Sequence, residues 1–164
     1  MELTIESMTE QDFDTLYTWY KDPAYGTFFR NTPEDLSRDA LTVLMTTVGV
    51  VLKSNTPDKN MVALAFIMVY PKTHIADIGI ITDKHYRKQG IASTLVKKLI
   101  DYIFKEGTVN RIVMYSPDPS IIAALKRGGF YEECRMYKNT FFNGKLHNES
   151  RMILTKDFYN KLGR

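Results

Sequence analysis

The segment Ile80-Ile81-Thr82-Asp83-Lys84-His85-Tyr86-Arg87-Lys88-Gln89-Gly90-Ile91-Ala92-Ser93 holds the most informative chemistry in the chain. It joins an apolar, β-rich run to a stripe of apolar residues at helical spacing that starts at Ile91. The first N–H groups of a helix have no partner inside it and lie at its positive end, so a helix starting here is an anion site. Gly90 and Ala92 keep alternate positions small, which lets an anion approach the backbone closely. Arg87 and Lys88 add charge and donors. The expected ligand is a phosphate or pyrophosphate. Neither Gly-x-x-x-x-Gly-Lys-Ser/Thr nor Gly-x-Gly-x-x-Gly occurs, so nucleotide hydrolysis and dinucleotide binding lack support. The pattern present is Arg-x-x-Gly-x-Ala.

Asp77 is the first candidate for proton transfer. It lies between Ala76 and Ile78 in an apolar strand, where partial burial raises a carboxyl pKa toward a useful range. His74 is the alternative base, although its place before the strand reads as a surface loop. His85 also reads as a surface residue. Cys134, the single cysteine, excludes an internal disulfide framework and a clustered thiolate metal site; no metal is expected. It reads as a small buried hydrophobe in a strand. Tyr115, Tyr131 and Tyr137 read as sheet or core aromatics.

The elements that must position these groups follow from periodicity. Leu3 and Ile5 alternate with polar neighbours and predict a short first strand. Thr9 opens a helix carrying Phe13, Leu16, Tyr17 and Tyr20, and Asp22-Pro23 closes it. Thr32-Pro33-Glu34-Asp35 predicts a second helix start, with Leu36, Ala40, Leu41, Leu44 and Met45 as its buried face. Strands are predicted at Gly49–Lys53, Met61–Tyr70 and Ile75–Thr82, the first two separated by a loop over Ser54-Asn55-Thr56-Pro57-Asp58. Ile91, Ala92, Leu95, Val96, Leu99, Ile100, Ile103 and Phe104 make the stripe of a long helix. A strand over Arg111–Tyr115, a short helix over Ser120–Arg127, and strands near Phe130–Tyr137 and Glu149–Leu154 complete the order. The fold class is α/β: a single mixed, largely antiparallel sheet of six to seven strands with helices on both faces, forming one domain over residues 1–164.

With 44% hydrophobic and 25% charged residues, the composition is that of an ordinary globular chain and excludes disorder. No apolar run is long enough for a membrane span, and Glu2 and Glu6 bracket the first apolar residues, so neither a secretory leader nor a membrane partner is expected. The expected location is the cytoplasm. The net charge of +3 hides an asymmetry: residues 1–70 carry 5 basic and 10 acidic side chains, residues 71–164 carry 17 and 9. A basic second half attracts an anion, whether nucleic acid, a membrane surface or a phosphorylated small molecule. No nucleic-acid-reading motif is present, and the basic residues scatter instead of forming a block.

Arg87, Gly90 and Ala92, placed after the fourth strand and at the start of the third helix, resemble the acetyl-coenzyme A pyrophosphate loop of the GNAT-type N-acyltransferases. So does a short helix ending in Gly129-Phe130 before the next strand. The opening, with Asp22-Pro23 and Phe28-Phe29-Arg30, and the ending, from Gly129 to Glu149, are similar to the ribosomal-protein N-terminal acetyltransferase branch. Asn148 stands where that branch has aspartate.

The resemblance implies acetyl transfer from acetyl-CoA to a primary amine by direct attack in a ternary complex. Backbone groups of Lys88, Gln89, Gly90, Ile91, Ala92 and Ser93 would hold the pyrophosphate. Ile81 and Thr82 would pair with the pantetheine arm, and the same strand's N–H groups could stabilise the oxyanion. Asp118 would contact the pantetheine, and Asp77 would be the base. Leu125 occupies the position where many relatives carry the tyrosine that protonates the leaving thiolate, which leaves Ser116 or water for that task. Phe28, Phe29 and Asp77 would border the acceptor, a small-molecule or peptide amine; a homodimer stays open. By analogy the acidic first half lines the acceptor cleft and favours a cationic acceptor. The alternative is a coenzyme-binding module that has lost catalysis.

Overall fold

The computed structural model describes residues 4–47, 50–55, 60–105 and 107–163, by backbone alone at 50–52 and 54. Glu2, Leu3, Gly49 and Thr56-Pro57-Asp58, named above, lie outside the described residues. The strands are β1 (Thr4–Ser7), β2 (Val50–Asn55), β3 (Met61–Tyr70), β4 (Ile75–Thr82), β5 (Arg111–Ser116), β6 (Tyr131–Phe142) and β7 (Lys145–Thr155). The helices are α1 (Asp12–Lys21), α2 (Gly26–Phe29), α3 (Arg38–Thr47), α4 (Ile91–Lys105), α5 (Pro119–Arg127) and α6 (Lys156–Lys161). The strands form one sheet in the order β1-β2-β3-β4-β5-β7-β6, antiparallel throughout except for β4 against β5.

Two apolar layers sandwich that sheet. The stripe of α4 is buried except for the half-buried Ala92 and packs with Ala65, Ile67, Ala76, Ile78 and Ile80. On the opposite face Leu16, Trp19, Tyr25, Leu41 and Met45 pack over Leu64 and Ile81. Alternation along β4 assigns its residues: Ala76, Ile78 and Ile80 face α4, leaving Asp77, Gly79 and Ile81 on the face of α1 and α3. Among the described residues no helix is long and apolar enough to cross a membrane.

Several sequence expectations change. The helix expected to start at Thr32-Pro33-Glu34-Asp35 begins at Arg38, where Ser37 Oγ accepts from the N–H of Ala40 at 3.1 Å. The chain before it wraps around the Tyr20 hydroxyl, which donates to Pro33 O (2.6 Å) and accepts from Leu36 N (3.0 Å). Asp35 sits at φ +60, which breaks any helix there. Ala40 is exposed, not buried. In α1 the third buried position is Trp19; Tyr17 and Tyr20 are half-buried. Cys134 is exposed, not buried; Tyr115, Tyr131 and Tyr137 lie in sheet strands as expected, with exposed rings. For Cys134, Tyr131 and Tyr137 the cause is topological: β6 is an edge strand paired only with β7, and most of its residues face solvent. Helices α2 and α6 were not expected; α6 is capped by Thr155, whose hydroxyl accepts from Phe158 N at 3.3 Å.

Candidate active site

The sheet opens where the parallel pairing of β4 with β5 ends. β4 and β5 are in register solely over Ile75–Asp77 against Arg111–Val113, although β4 continues to Thr82 and β5 to Ser116. Proline assists the divergence: Pro117 and Pro119 follow β5, and Pro119 opens α5. Two cavities of about 700 and 450 Å³ flank the gap and share Thr27, Phe28, Ile80, Asp118 and Ile121, so they are continuous.

The smaller cavity contains the glycine loop. Ile81, Thr82, Arg87, Lys88, Gly90, Ile91, Ala92, Ser93 and Asp118 all line it; Gln89 does not, and its amide donates to His85 O at 3.2 Å. Lys88 and Gly90 both have positive φ, +62 and +80; left-handed residues among right-handed ones are the backbone pattern by which a loop can gather N–H groups around an anion. A Cβ placed on Gly90 would meet nothing within 4 Å, so the glycine serves the backbone angle and leaves the surface there open. The Thr82 hydroxyl, buried at the cavity wall, has no hydrogen-bond partner among the described residues. Arg87 is less free than expected: its guanidinium donates to Ala24 O (2.8 Å) and lies 5.2 Å from the centroid of the Tyr25 ring. Arg127 supplies a cation the sequence reading passed over, held to Ser93 Oγ at 2.9 Å. Asp83 was also missed. It accepts from Trp19 Nε1 (3.1 Å) and from His85 N (2.8 Å), and thereby pins the turn to α1.

The larger cavity contains Asp77 and Ser116. Burial pushes the Asp77 carboxyl pKa up; hydrogen bonding with Tyr70 and the charge of Arg151 oppose that rise without cancelling it. The Ser116 hydroxyl is buried and accepts from Asp118 N at 3.1 Å, leaving its own proton available. Asp118 caps α5 by accepting from Ser120 N at 2.8 Å. Phe28 lies against Gly79, where an added Cβ would approach its ring to 3.3 Å, and faces both cavities. Phe29 is corrected: its ring is buried edge-on against Tyr20 and Phe28 and reaches neither cavity of the gap. His74 is exposed with Nδ1 2.8 Å from Thr108 O, and His85 is exposed; neither lines this cavity. Leu125 is fully buried in the core.

A buried ion pair that the sequence did not announce closes one side. Arg30 Nε donates to Glu149 Oε1 at 2.8 Å, and its terminal nitrogens donate to Thr27 O and Tyr115 O. Asn139 donates to the other Glu149 oxygen at 2.8 Å. The expected acidic lining from the first half of the chain is also corrected. The cavity's carboxylates, Asp77, Asp118 and Glu149, all come from the second half, and the first half contributes the cation Arg30.

The family model for the acetyltransferase (GNAT) domain matches residues 2–130. The chain is 25% identical over 104 residues to spermidine N(1)-acetyltransferase of Vibrio cholerae; the match spans 62% of this chain and 60% of that relative's length. Among solved structures, Vibrio cholerae spermidine N-acetyltransferase in complex with CoA and spermine superposes with a TM-score of 0.86 at 19% identity, covering 96% of this chain and 98% of the other. A phosphinothricin acetyltransferase from Sinorhizobium meliloti in complex with acetyl-CoA gives 0.82 at 14%, covering 94% and 89%. The first two are spermidine acetyltransferases, so the expected ribosomal-protein branch is not where these relatives lie. Asn148, the departure from that branch, uses its side chain inside the sheet, accepting from Lys138 N at 3.0 Å. With the family model spanning well over half of its length, the chain belongs to the GNAT acetyltransferase family.

Proposed function

We propose that this chain transfers an acetyl group from acetyl-CoA to the primary amine of a small molecule, by direct attack in a ternary complex. The observation that carries the reading is the continuity of the gap: an anion-binding loop lies at one end and a carboxyl of raised pKa at the other. The residues present fit coenzyme A on three counts. The loop turns N–H groups outward at the open face of Gly90, the Thr82 hydroxyl awaits a partner, and the β4 edge beyond Asp77 is out of register with β5.

When bound, acetyl-CoA supplies a thioester, an acyl group already activated toward amines. Lys88 through Ser93 hold the pyrophosphate through their backbone, and Arg127 adds a nearby cation. Ile81 and Thr82 hold the extended arm by strand-like pairing. An ammonium cannot attack, so Asp77 takes a proton from it, directly or through water; burial raises the carboxyl's basicity for this purpose. Ser116 relays a proton from water to the departing sulfur: its hydroxyl accepts from Asp118 N, passes its hydrogen to the thiolate and regains one from the water, so no alkoxide is left. A binding module without catalysis would bind acetyl-CoA and release no thiol with any amine.

One sheet collects strands from residue 4 to residue 155, which supports reading residues 1–164 as a single acyltransferase domain. The test is release of free coenzyme A thiol from acetyl-CoA with a panel of amines, headed by spermidine and spermine, the polyamines named for the relatives. Acetyl-CoA alone should raise the melting temperature at saturation. Absence of both thiol release and thermal shift refutes the reading.

A further inference from the structure

We infer that the acceptor site is built for an amine with one cationic end and an apolar body, and not for a polyamine. This rests on the acetyltransferase reading above and narrows the substrate class of the same site.

The charge of the larger cavity is the first argument. Of its three carboxylates, Glu149 is taken up by Arg30 and Asn139. Asp118 is committed to the N-terminus of α5. Asp77, whose hydrogen-bond partner is the neutral Tyr70 hydroxyl, is the one of the three bound neither to a guanidinium nor to a helix end, which suits one cationic end. Arg30 is a fixed cation in the same wall, held by Thr27 O, Tyr115 O and Glu149. A second ammonium along a polyamine would find no further uncommitted carboxylate among the described residues of this wall, and would leave water beside a guanidinium.

The second argument is what surrounds Asp77. Antiparallel register sets Met68 opposite Asp77 and Phe66 opposite Gly79, so both point to the same face as the carboxylate. Across the short parallel contact, Asp77 stands beside Val113. Phe28, Leu44, Met45 and Met114 extend the apolar lining. Three of these residues are methionines, whose unbranched thioethers adapt to varied apolar shapes. The cavity, about 700 Å³, is large enough for a small-molecule amine body.

The experiment measures kcat/KM with acetyl-CoA for propylamine, butylamine, pentylamine, hexylamine and 2-phenylethylamine beside spermidine. Binding of hexylamine and of spermidine to the protein without acetyl-CoA is followed by calorimetry. The inference predicts a rise of about fourfold per added methylene, the worth of one buried CH₂, and tighter calorimetric binding of hexylamine than of spermidine. Met68→Glu, which places a second carboxylate opposite Asp77, should shift the preference toward spermidine. A kcat/KM for spermidine above every monoamine, or one that is flat with chain length, overturns the inference and leaves the acetyltransferase reading standing. No thiol release with any amine overturns both.

Discussion

Replacing Asp77 with asparagine separates what the carboxylate does from what it costs the fold. Asparagine keeps an oxygen that can accept from the Tyr70 hydroxyl, preserves the volume and removes the charge. If Asp77 takes the amine proton, kcat should fall by about 10²–10⁴-fold. The acid limb of the wild-type pH profile, which reports deprotonation of this carboxyl, should disappear in the variant. Stability should move the other way. The folded-state pKa of Asp77 is raised, chiefly by burial, so the folded protein binds this proton more tightly than the unfolded chain. The group's contribution is therefore most favourable below the ordinary carboxylate range and is lost as pH rises through the folded pKa. Above that pKa the wild type holds a partly desolvated charge that D77N does not. The variant should melt higher at neutral pH, and the difference should close in acid. Thiol-release kinetics from pH 5 to 9 and thermal melts over an acid-to-neutral series check both halves. A variant of undiminished rate across that range removes Asp77 as the base. A variant that melts lower than wild type at neutral pH shows that the carboxylate is net stabilising and refutes the electrostatic argument.

Other substitutions test other parts of the structure. Gly90→Ala leaves the space around it open but forces a side chain onto φ +80, so it should cost about 1 kcal/mol in urea denaturation and weaken acetyl-CoA binding measured by calorimetry. Arg30→Met strands the buried Glu149 carboxylate and should destabilise by about 3–5 kcal/mol; adding Glu149→Leu should recover much of that loss in the same assay. Asp12 and Lys53 pair at 2.7 Å with both side chains largely buried. Burial alone would raise the Asp12 pKa, but the bonds from Lys53 and Thr9 outweigh it and the net direction is down. That pair therefore stabilises above the ordinary carboxylate range and loses its contribution as pH falls through the lowered value. Lys53→Met should be most destabilising at neutral pH and progressively less so in acid melts.

Local patterns were legible where one physical cause dominated. Seven of the eight stripe residues of α4 are buried as periodicity predicts, Ala92 at the loop end being half-buried, and β3 and β4 have the expected bounds, because alternation and turn residues agree there. The start of α3 was misread: Thr32-Pro33-Glu34 has the chemistry of a helix start, but the Tyr20 hydroxyl captures the segment and Ser37 provides the cap. Cys134 was misjudged for a topological reason, since strand propensity does not say which strand ends a sheet. The residues of the glycine loop were nameable from the sequence, whereas the groups that fix their geometry were not. Asp83 bonds a tryptophan 64 positions earlier, and Arg30 meets Glu149 across 119 positions. Pairings so distant leave no local spacing to detect.

Among the described residues the sheet has outer edges at β1 and β6 and an inner opening between β4 and β5, and outer and inner edges carry different aggregation hazards. An outer edge such as β6 invites pairing with another chain, and this one is blunted by Glu132, Glu133, Arg135 and Lys138 and by a register shift near Lys138, whose φ is +46. The inner edge of β4, beyond Asp77, runs through Ile78, Ile80 and Ile81, a run that would be adhesive at the outside of a sheet. It is protected by position: α5 and the two prolines after β5 border the gap, and a foreign sheet has no room to approach. A slender extended molecule can still enter. The same concealment that keeps this edge from seeding aggregates thus sets the width of what it can bind.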